Sequence, residues 1–343
     1  MSRKTTIKDV AKYAGVSVAS VSYVLNDIDK VTAETKDRIL KAIADLDYKP
    51  SLTARCLSKG DSKLIGVSLP ITEKGDIPGV LLENNPFFGE FISGIEYTTR
   101  KKGYDILISG VDTNEQYKDW IQRRRLDGII MLGVYPRSIF EEINKLEIPI
   151  VLTDAYETYA AEFHRVMVED ELGGYLATKH LVERGHKNIA FIAGSIKNSF
   201  TNLYRFEGYK KALKEARIKF NKDFVLEDHV TFNGGYRTGK RLLEGETNVT
   251  AVFAAADIMA IGIMKSYIEN GKSIPKDLSV IGFDDIKFGQ YTTPSLTTMK
   301  QDIIMKGRVS AEMIMEDLEN NRRTNHSIVL KPELIVRGST DFL

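Results

Sequence analysis

Hydrophobic positions in the first sixty residues recur with the period of a helix. Ile7, Val10, Ala11 and Ala14 stand at i, i+3, i+4 and i+7, and Gly15 follows where a left-handed stop costs least. After a three-residue turn Ser17 can cap a second helix, whose inward stripe is Val21, Val24, Leu25 and Ile28. Thr32 can cap a third, with Ile39, Ala42, Ile43 and Leu46 inward. Tyr48-Lys49-Pro50 breaks the pattern, and Pro50 can open a fourth helical turn, SLTARCLSKG. From Leu64 the pattern changes to short apolar runs. LIGVSLP, YDILISG, GIIMLG and IPIVLTD read as strands buried on both faces, with GEFISGIEYTTRKKG and YKDWIQRRR as intervening helices. The alternation then repeats: NIAFIAG, AVFAAA and LSVIGFD are strands, and GGYLATKHLVERG, YRFEGYKKALKEA, GGYRTGKRLLEG and IMAIGIMKSYIENG are helices. This predicts a small all-α head followed by a body of two doubly wound parallel-sheet α/β lobes, with ligands at the carboxyl ends of the strands.

Length agrees with several units, since 343 residues exceed what one hydrophobic core supports. Charge sharpens the division between head and body. Residues 1–60 hold eleven Lys/Arg against seven Asp/Glu, whereas the formal net charge of the whole chain is only +1. A basic head on a faintly acidic body permits a nucleic-acid partner for the head. The single cysteine, Cys56, cannot form an internal disulfide, and no window offers eighteen uninterrupted apolar residues. The start, MSRKTTIKDVAKYAG, has no continuous apolar stretch, so the expectation is a cytoplasmic protein without a membrane partner.

A helix, a tight glycine turn and a serine-capped second helix form a helix-turn-helix layout, whose second helix enters the DNA major groove. The face opposite the buried stripe carries Ala19, Ser22, Tyr23 and Asn26, with Val18 at the helix start. On spacing alone, a three-helix bundle of another purpose fits equally well. The run TIKDVAKYAGVSVASVSYVLN, followed by VTAETKDRILKAIADLDYKPSLTARCLSKG, resembles the DNA-binding head of the LacI/GalR family of bacterial repressors, without gaps over about residues 5–60. The resemblance implies that Val18, Ala19 and Tyr23 read bases and that Thr6, Ser17, Ser20, Asn26 and Thr35 contact phosphates; Ser22 shares the exposed face. Many relatives carry Arg where Tyr23 stands, so a bidentate contact to guanine is missing here. PSLTARCLSKG resembles the family's hinge helix. Leu57 would then wedge into the minor groove and kink the duplex, with Arg55 contacting phosphate or groove; packing of Leu57 on its own head and a solvated Arg55 are the alternatives.

The body resembles the sugar-binding fold of the same family, akin to periplasmic binding proteins. NPFFGEFISGIE, RRRLDGIIMLG, YRFEGYKKAL and DLSVIGFDDIKFGQYTTPSLTTMKQD carry the resemblance. Thr72 to Glu83, TEKGDIPGVLLE, departs from it as an insertion. The implied division is residues 1–49 as head, 50–61 as hinge and 62–343 as effector-binding and dimerisation domain. Its first lobe would be about 62–168 with 302–325, its second about 169–301 with 326–343, and the crossings near Val168, Gln301 and His326. The resemblance implies that Arg205, in R-F-E-G-Y, and Asp284, in I-G-F-D, bind the effector. A guanidinium donates two parallel bonds and a carboxylate accepts from vicinal hydroxyls, which suits a sugar. Phe88 would stack on the ligand and Asp154 accept from a further hydroxyl; a structural ion pair for Arg205 and Asp284, a core aromatic for Phe88 and a loop cap for Asp154 are the alternatives. Asp257, between strand and helix, is expected as an N-cap.

Gly234 to Lys240 fits the phosphate-loop pattern G-x4-G-K, but Arg241 stands where Ser/Thr would hold magnesium, and the run reads as helix. The five histidines show no metal-ligand spacing, and there is no G-x-S-x-G elbow. No enzyme activity, cofactor or metal is therefore expected. The partners implied are palindromic double-stranded operator DNA, a small-molecule effector of sugar type, and a second copy in a homodimer. The competing reading is a solute-binding protein of the same fold.

Overall fold

The computed structural model describes residues 5–25, 28–48, 62–70, 82–111, 120–121, 123–133, 135, 137–245 and 248–343. Asn26, Arg55, Leu57, the hinge segment and all of the Thr72 to Glu83 insertion except its last two residues lie outside them. The chain divides into two compact units, Met1–Ser62 and Lys63–Leu343.

In the first unit, α1 (Ile7–Ala14), α2 (Val18–Leu25) and α3 (Ala33–Asp45) form because their ends are capped locally. Thr6 and Asp9 make a reciprocal capping box, the Asp9 carboxylate accepting from the Thr6 N–H at 2.8 Å. Gly15 ends α1 at φ 65°, where a side chain would be strained. The Arg38 guanidinium donates to the Ala14 carbonyl at 2.5 Å, tying α3 to the turn between α1 and α2. Val10, Ala14, Val21, Val24, Ile39, Ala42 and Tyr48 close the core. Ile28, expected on the inward stripe of α2, is 42% exposed instead. The described helix spans Val18–Leu25 and Ile28 is not helical, so the i+7 position does not lie on its face.

The second unit runs, in chain order, β1 (Leu64–Pro70), α4 (Pro86–Lys101), β2 (Asp105–Val111), β3 (Gly128–Leu132), α5 (Arg137–Ile143), β4 (Ile150–Thr153) and β5 (His164–Val168). There follow α6 (Asp170–Glu183), β6 (Ile189–Ala193), α7 (Phe200–Glu215), β7 (Val225–Glu227), α8 (Phe232–Glu244), β8 (Ala251–Ala254), α9 (Asp257–Glu269), β9 (Ser279–Asp284) and β10 (Thr297–Lys300). It closes with α10 (Ile303–Glu319), β11 (Ser327–Leu330) and β12 (Glu333–Ile335). The expected helix over YKDWIQRRR is described only at Trp120, Ile121, Arg123 and Arg124, which are helical.

The first sheet has the order β11-β5-β4-β3-β1-β2 and the second β12-β10-β9-β8-β6-β7. The two orders are the same winding repeated, parallel throughout except where β12 pairs antiparallel with β10. Helices cover both faces, which is why β3, β4, β6, β8 and β9 are buried at every position. Three helix pairs seal the lobes by close backbone approach. In α6 and α7, a Cβ on Gly174 would stand 2.1 Å from the Arg205 carbonyl oxygen and one on Gly208 2.1 Å from that of Glu171. The chain crosses between lobes after Val168, at Gln301-Asp302, and between Leu330 and Glu333. The third crossing is later than the His326 expected, because β11 pairs with β5 in the first sheet. Ile286, from the second lobe, is fully buried in the first lobe's core. Among the described residues no helix is long and apolar enough to cross a membrane.

Candidate functional site

On α2 the exposed face carries Val18, 41% exposed, and Ala19, while Ser22 and Tyr23 are half-buried. Lys30 lies over the Tyr23 ring at 5.5 Å. Ser17 accepts from the Ser20 N–H at 3.0 Å, and the Ser17–Ser20 and Thr32–Thr35 hydroxyl pairs stand 2.9 Å apart. Ser17 and Thr32 cap helices as acceptors. Within each pair one O–H is given to the other hydroxyl, which leaves the second to offer a phosphate, so capping and phosphate contact are compatible. Thr6, Ser17, Ser20 and Thr35 thus sit at the starts of the three helices, where N–H groups also face outward.

In the body, Arg205 on α7 and Asp284 at the end of β9 come together, both about 95% buried. The Arg205 Nε donates to Asp170 Oδ1 at 2.7 Å, its Nη1 donates to the Ala255 carbonyl at 2.6 Å, and Asp284 Oδ1 lies 4.0 Å from Nη1. The guanidinium stacks over Phe283 at 3.6 Å from the ring centroid. Asp170 also accepts from the Tyr156 hydroxyl, which donates from the first lobe across the first crossing. Asp154, just past β4, is bound through both carboxylate oxygens by Lys306 on α10, at 2.7 and 2.8 Å. Lys306 also donates to Gln301 Oε1 at 2.8 Å, and Gln301 Nε2 donates to Asp284 at 2.5 Å. A continuous polar chain therefore runs from Asp154 in the first lobe to Asp170 in the second. A further link joins the lobes where Glu90 on α4 accepts from the Lys287 N–H at 2.8 Å.

Burial sets the protonation of this chain. It pushes the Asp284 carboxyl up to about 7 although Arg205, Gln301 and Lys306 pull the other way. Asp170 is raised by the same cause, against the opposing effect of Arg205. Burial alone would lower Arg205, but Asp170 and Asp284 more than offset it, so its pKa is raised. Backbone conformation marks the site as well. Asp154, Asp284 and Asp285 have φ of 59°, 124° and 58°, left-handed or strained values for non-glycine residues at strand ends.

One expected role reads differently. Asp257 does not cap α9, whose N-cap is Ala256. Its fully buried carboxyl accepts from Thr298 Oγ1 at 2.5 Å and the Ile286 N–H at 2.9 Å, bracing β10 and the loop after β9. Burial, then Asp284, hold its pKa well above the carboxylate range. Phe88 packs edge-on to Phe87 at 5.7 Å beside the first lobe's core, and it is Phe87 whose ring lies 5.8 Å from the Lys306 ammonium. Sequence reasoning missed Lys306, Asp170 and Tyr156, and used Gln301 only as a crossing. The available signal was a lysine inside the otherwise apolar inward spacing of α10. Gly234 to Lys240 is helical, within α8.

A capped helix-turn-helix unit ahead of a two-lobed body with converging polar groups defines a DNA-binding regulator with a small-molecule site. The profile described as "Bacterial regulatory proteins, lacI family" matches residues 6–51, and "Periplasmic binding protein-like domain" matches residues 178–340. The chain is 32% identical over 338 residues to the ribose operon repressor of Haemophilus influenzae, covering 97% of this chain and 98% of that protein. It is 34% identical over 342 residues to the HTH-type transcriptional repressor PurR of Pasteurella multocida, with 97% and 98% covered. Among solved structures, the lac repressor dimer bound to operator and the anti-inducer ONPF aligns at TM-score 0.83 and 27% identity, over 99% of this chain and 100% of that one. A LacI family regulator from Enterococcus faecium with bound ribose aligns at TM-score 0.69 and 30% identity, over 81% and 99%. The chain belongs to the lacI family of bacterial regulatory proteins. It is a DNA-binding transcription regulator of the repressor type and not an enzyme.

Proposed function

We propose that this regulator binds a palindromic operator as a cytoplasmic homodimer, and that a small polyhydroxyl effector seated between the lobes sets its operator affinity. Ribose is the first candidate. Two relatives supply it: one is named a ribose operon repressor, and one solved regulator holds ribose. The observation that carries the reading is the polar chain at the strand ends, where Arg205 and Asp284 converge and Asp154 joins them through Lys306 and Gln301. Arg205 and Asp284 would hold hydroxyls, Asp154 would accept from a further one and Phe88 would flank the ring. In the head, Val18, Ala19 and Tyr23 would read bases. Thr6, Ser17, Ser20, Ser22, Asn26, Thr35 and Arg55 would hold the duplex, and Leu57 would wedge the minor groove. An apolar reading face favours thymine methyls over guanine.

The effector must prefer one lobe arrangement, and operator and effector are then linked reciprocally, by about 1–3 kcal/mol. The test is fluorescence anisotropy with a labelled palindromic duplex. Binding should fall steeply with salt, and ribose or another sugar should shift it. Sugar affinity that is identical with and without operator would refute the coupling.

A further inference from the structure

Lys306 carries its charge at zero exposure, beside the candidate effector site. An ammonium has three protons and no acceptor, and here they meet three oxygens: Asp154 Oδ1 and Oδ2, and Gln301 Oε1. Two consequences follow from that saturation. The first concerns the Gln301 amide. With its oxygen drawn to Lys306, its nitrogen must face Asp284, so Lys306 decides which end of the amide meets the second lobe. The second concerns charge. Among the described residues both buried cations are already paired, Lys306 with Asp154 and Arg205 with Asp170, while Asp284 adds a further carboxyl beside Arg205.

A phosphate entering this cleft would meet carboxylates and, among the described residues, no uncommitted buried ammonium, and an uncompensated buried charge is the costliest arrangement a site can hold. Hydroxyl groups meet the opposite situation. A carboxylate accepts through about four lone-pair positions, so Asp154 and Asp284 keep acceptor capacity beyond the bonds from Lys306 and Gln301. We propose that Lys306 is a specificity-determining residue of the inter-lobe site, which by neutralising Asp154 and orienting Gln301 reserves that site for an uncharged polyhydroxyl ligand and shuts out its phosphorylated form. This rests on the reading of the cleft as an effector site. The upward displacement of the Asp284 and Asp170 carboxyls fits it, since burial already disfavours negative charge there.

The test is isothermal titration of the full chain with matched probes, ribose against ribose 5-phosphate and inosine against inosine 5′-monophosphate. The neutral member of the responding pair is expected to bind at least 100-fold more tightly than its phosphorylated partner. Asp154→Asn releases Lys306 to meet a phosphate and should narrow that ratio at least tenfold. Lys306→Met, nearly equal in volume, should weaken the neutral ligand at least tenfold; thermal melting of both variants reports whether they fold. A phosphorylated member that binds the unaltered protein as tightly as its partner overturns the proposal, as does a ratio unchanged in folded Asp154→Asn. A response to inosine alone would sink the sugar reading while leaving the charge rule standing. Silence of both pairs overturns the reading and the rule together.

Discussion

Arg205→Ala separates the two roles that the buried guanidinium combines, holding the second lobe together and meeting the effector. The substitution removes the 2.7 Å bond to Asp170, the 2.6 Å bond to the Ala255 carbonyl and the stack on Phe283. Asp170, 2% exposed, is left with the Tyr156 hydroxyl as partner and without its cation. Breaking a buried ion pair by deleting one member costs about 3–5 kcal/mol. Against a typical total stability of roughly 5–15 kcal/mol the protein remains folded. At about 2–4 °C per kcal/mol for a unit of this size, the body should melt roughly 10 °C lower. Adding Asp170→Asn removes the orphaned charge and should recover about half of the loss, a coupling of ~2 kcal/mol in a double-mutant cycle. The head has its own core, so operator binding at 20 °C should persist in Arg205→Ala while the response to effector disappears. The assays are calorimetric melting, duplex anisotropy and effector titration on the same preparations. A melting point within about 1 °C of the unaltered protein would refute the ion-pair argument. Simultaneous loss of operator binding and effector response in a folded variant would mean that Arg205 is structural only.

Three further outcomes are expected. Gly174→Ala puts a Cβ 2.1 Å from the Arg205 carbonyl oxygen, so α6 and α7 must part; melting should fall by several degrees and effector titration should weaken at least tenfold. Because the folded carboxyl of Asp284 sits above its unfolded value, its stabilising contribution is full at low pH and is lost as pH rises towards about 7, so urea stability of the body should decline over that window. If hydroxyls donate to its ionised form, facing Arg205, Asp257 and, through Gln301, Lys306, effector affinity should rise about fivefold from pH 6 to 7 and level off above pH 8; pH-independent titrations would remove Asp284 from the site. Tyr23→Arg should shift operator preference towards guanine at the facing base by about 1–3 kcal/mol, read by anisotropy on duplexes varied at one position; an unchanged preference would show that position 23 does not read bases.

Much of the fold is local, and local features are legible in a sequence. Thr6 with Asp9, Gly15, Ser17 and Thr32 delimit the head helices by capping chemistry within three residues, and the continuous apolar runs mark the strands buried on both faces. Arg205 and Asp284 stood out because their motifs are short and contiguous. Ile28 was misjudged because periodicity does not say where a helix stops. The strands β5, β7, β10, β11 and β12 were not seen, since each is short and is interrupted by polar or charged residues where the strands that were read are continuous apolar runs, and β11 meets its partner β5 only across about 160 residues of chain. Asp257 followed a strand and preceded a helix, so a cap was the local expectation; its bonds run instead to Ile286 and Thr298, 29 and 41 residues on. Lys306 is the clearest case. The helix that carries it, α10, was not among the elements read from the sequence, and a lysine taken by itself reads as a surface residue. Only the fold brings Asp154 from 152 residues away to meet it. A buried charge is tolerable solely when a distant partner compensates it, and which partner arrives is settled by how two sheets are wound and crossed, not by neighbours in the chain.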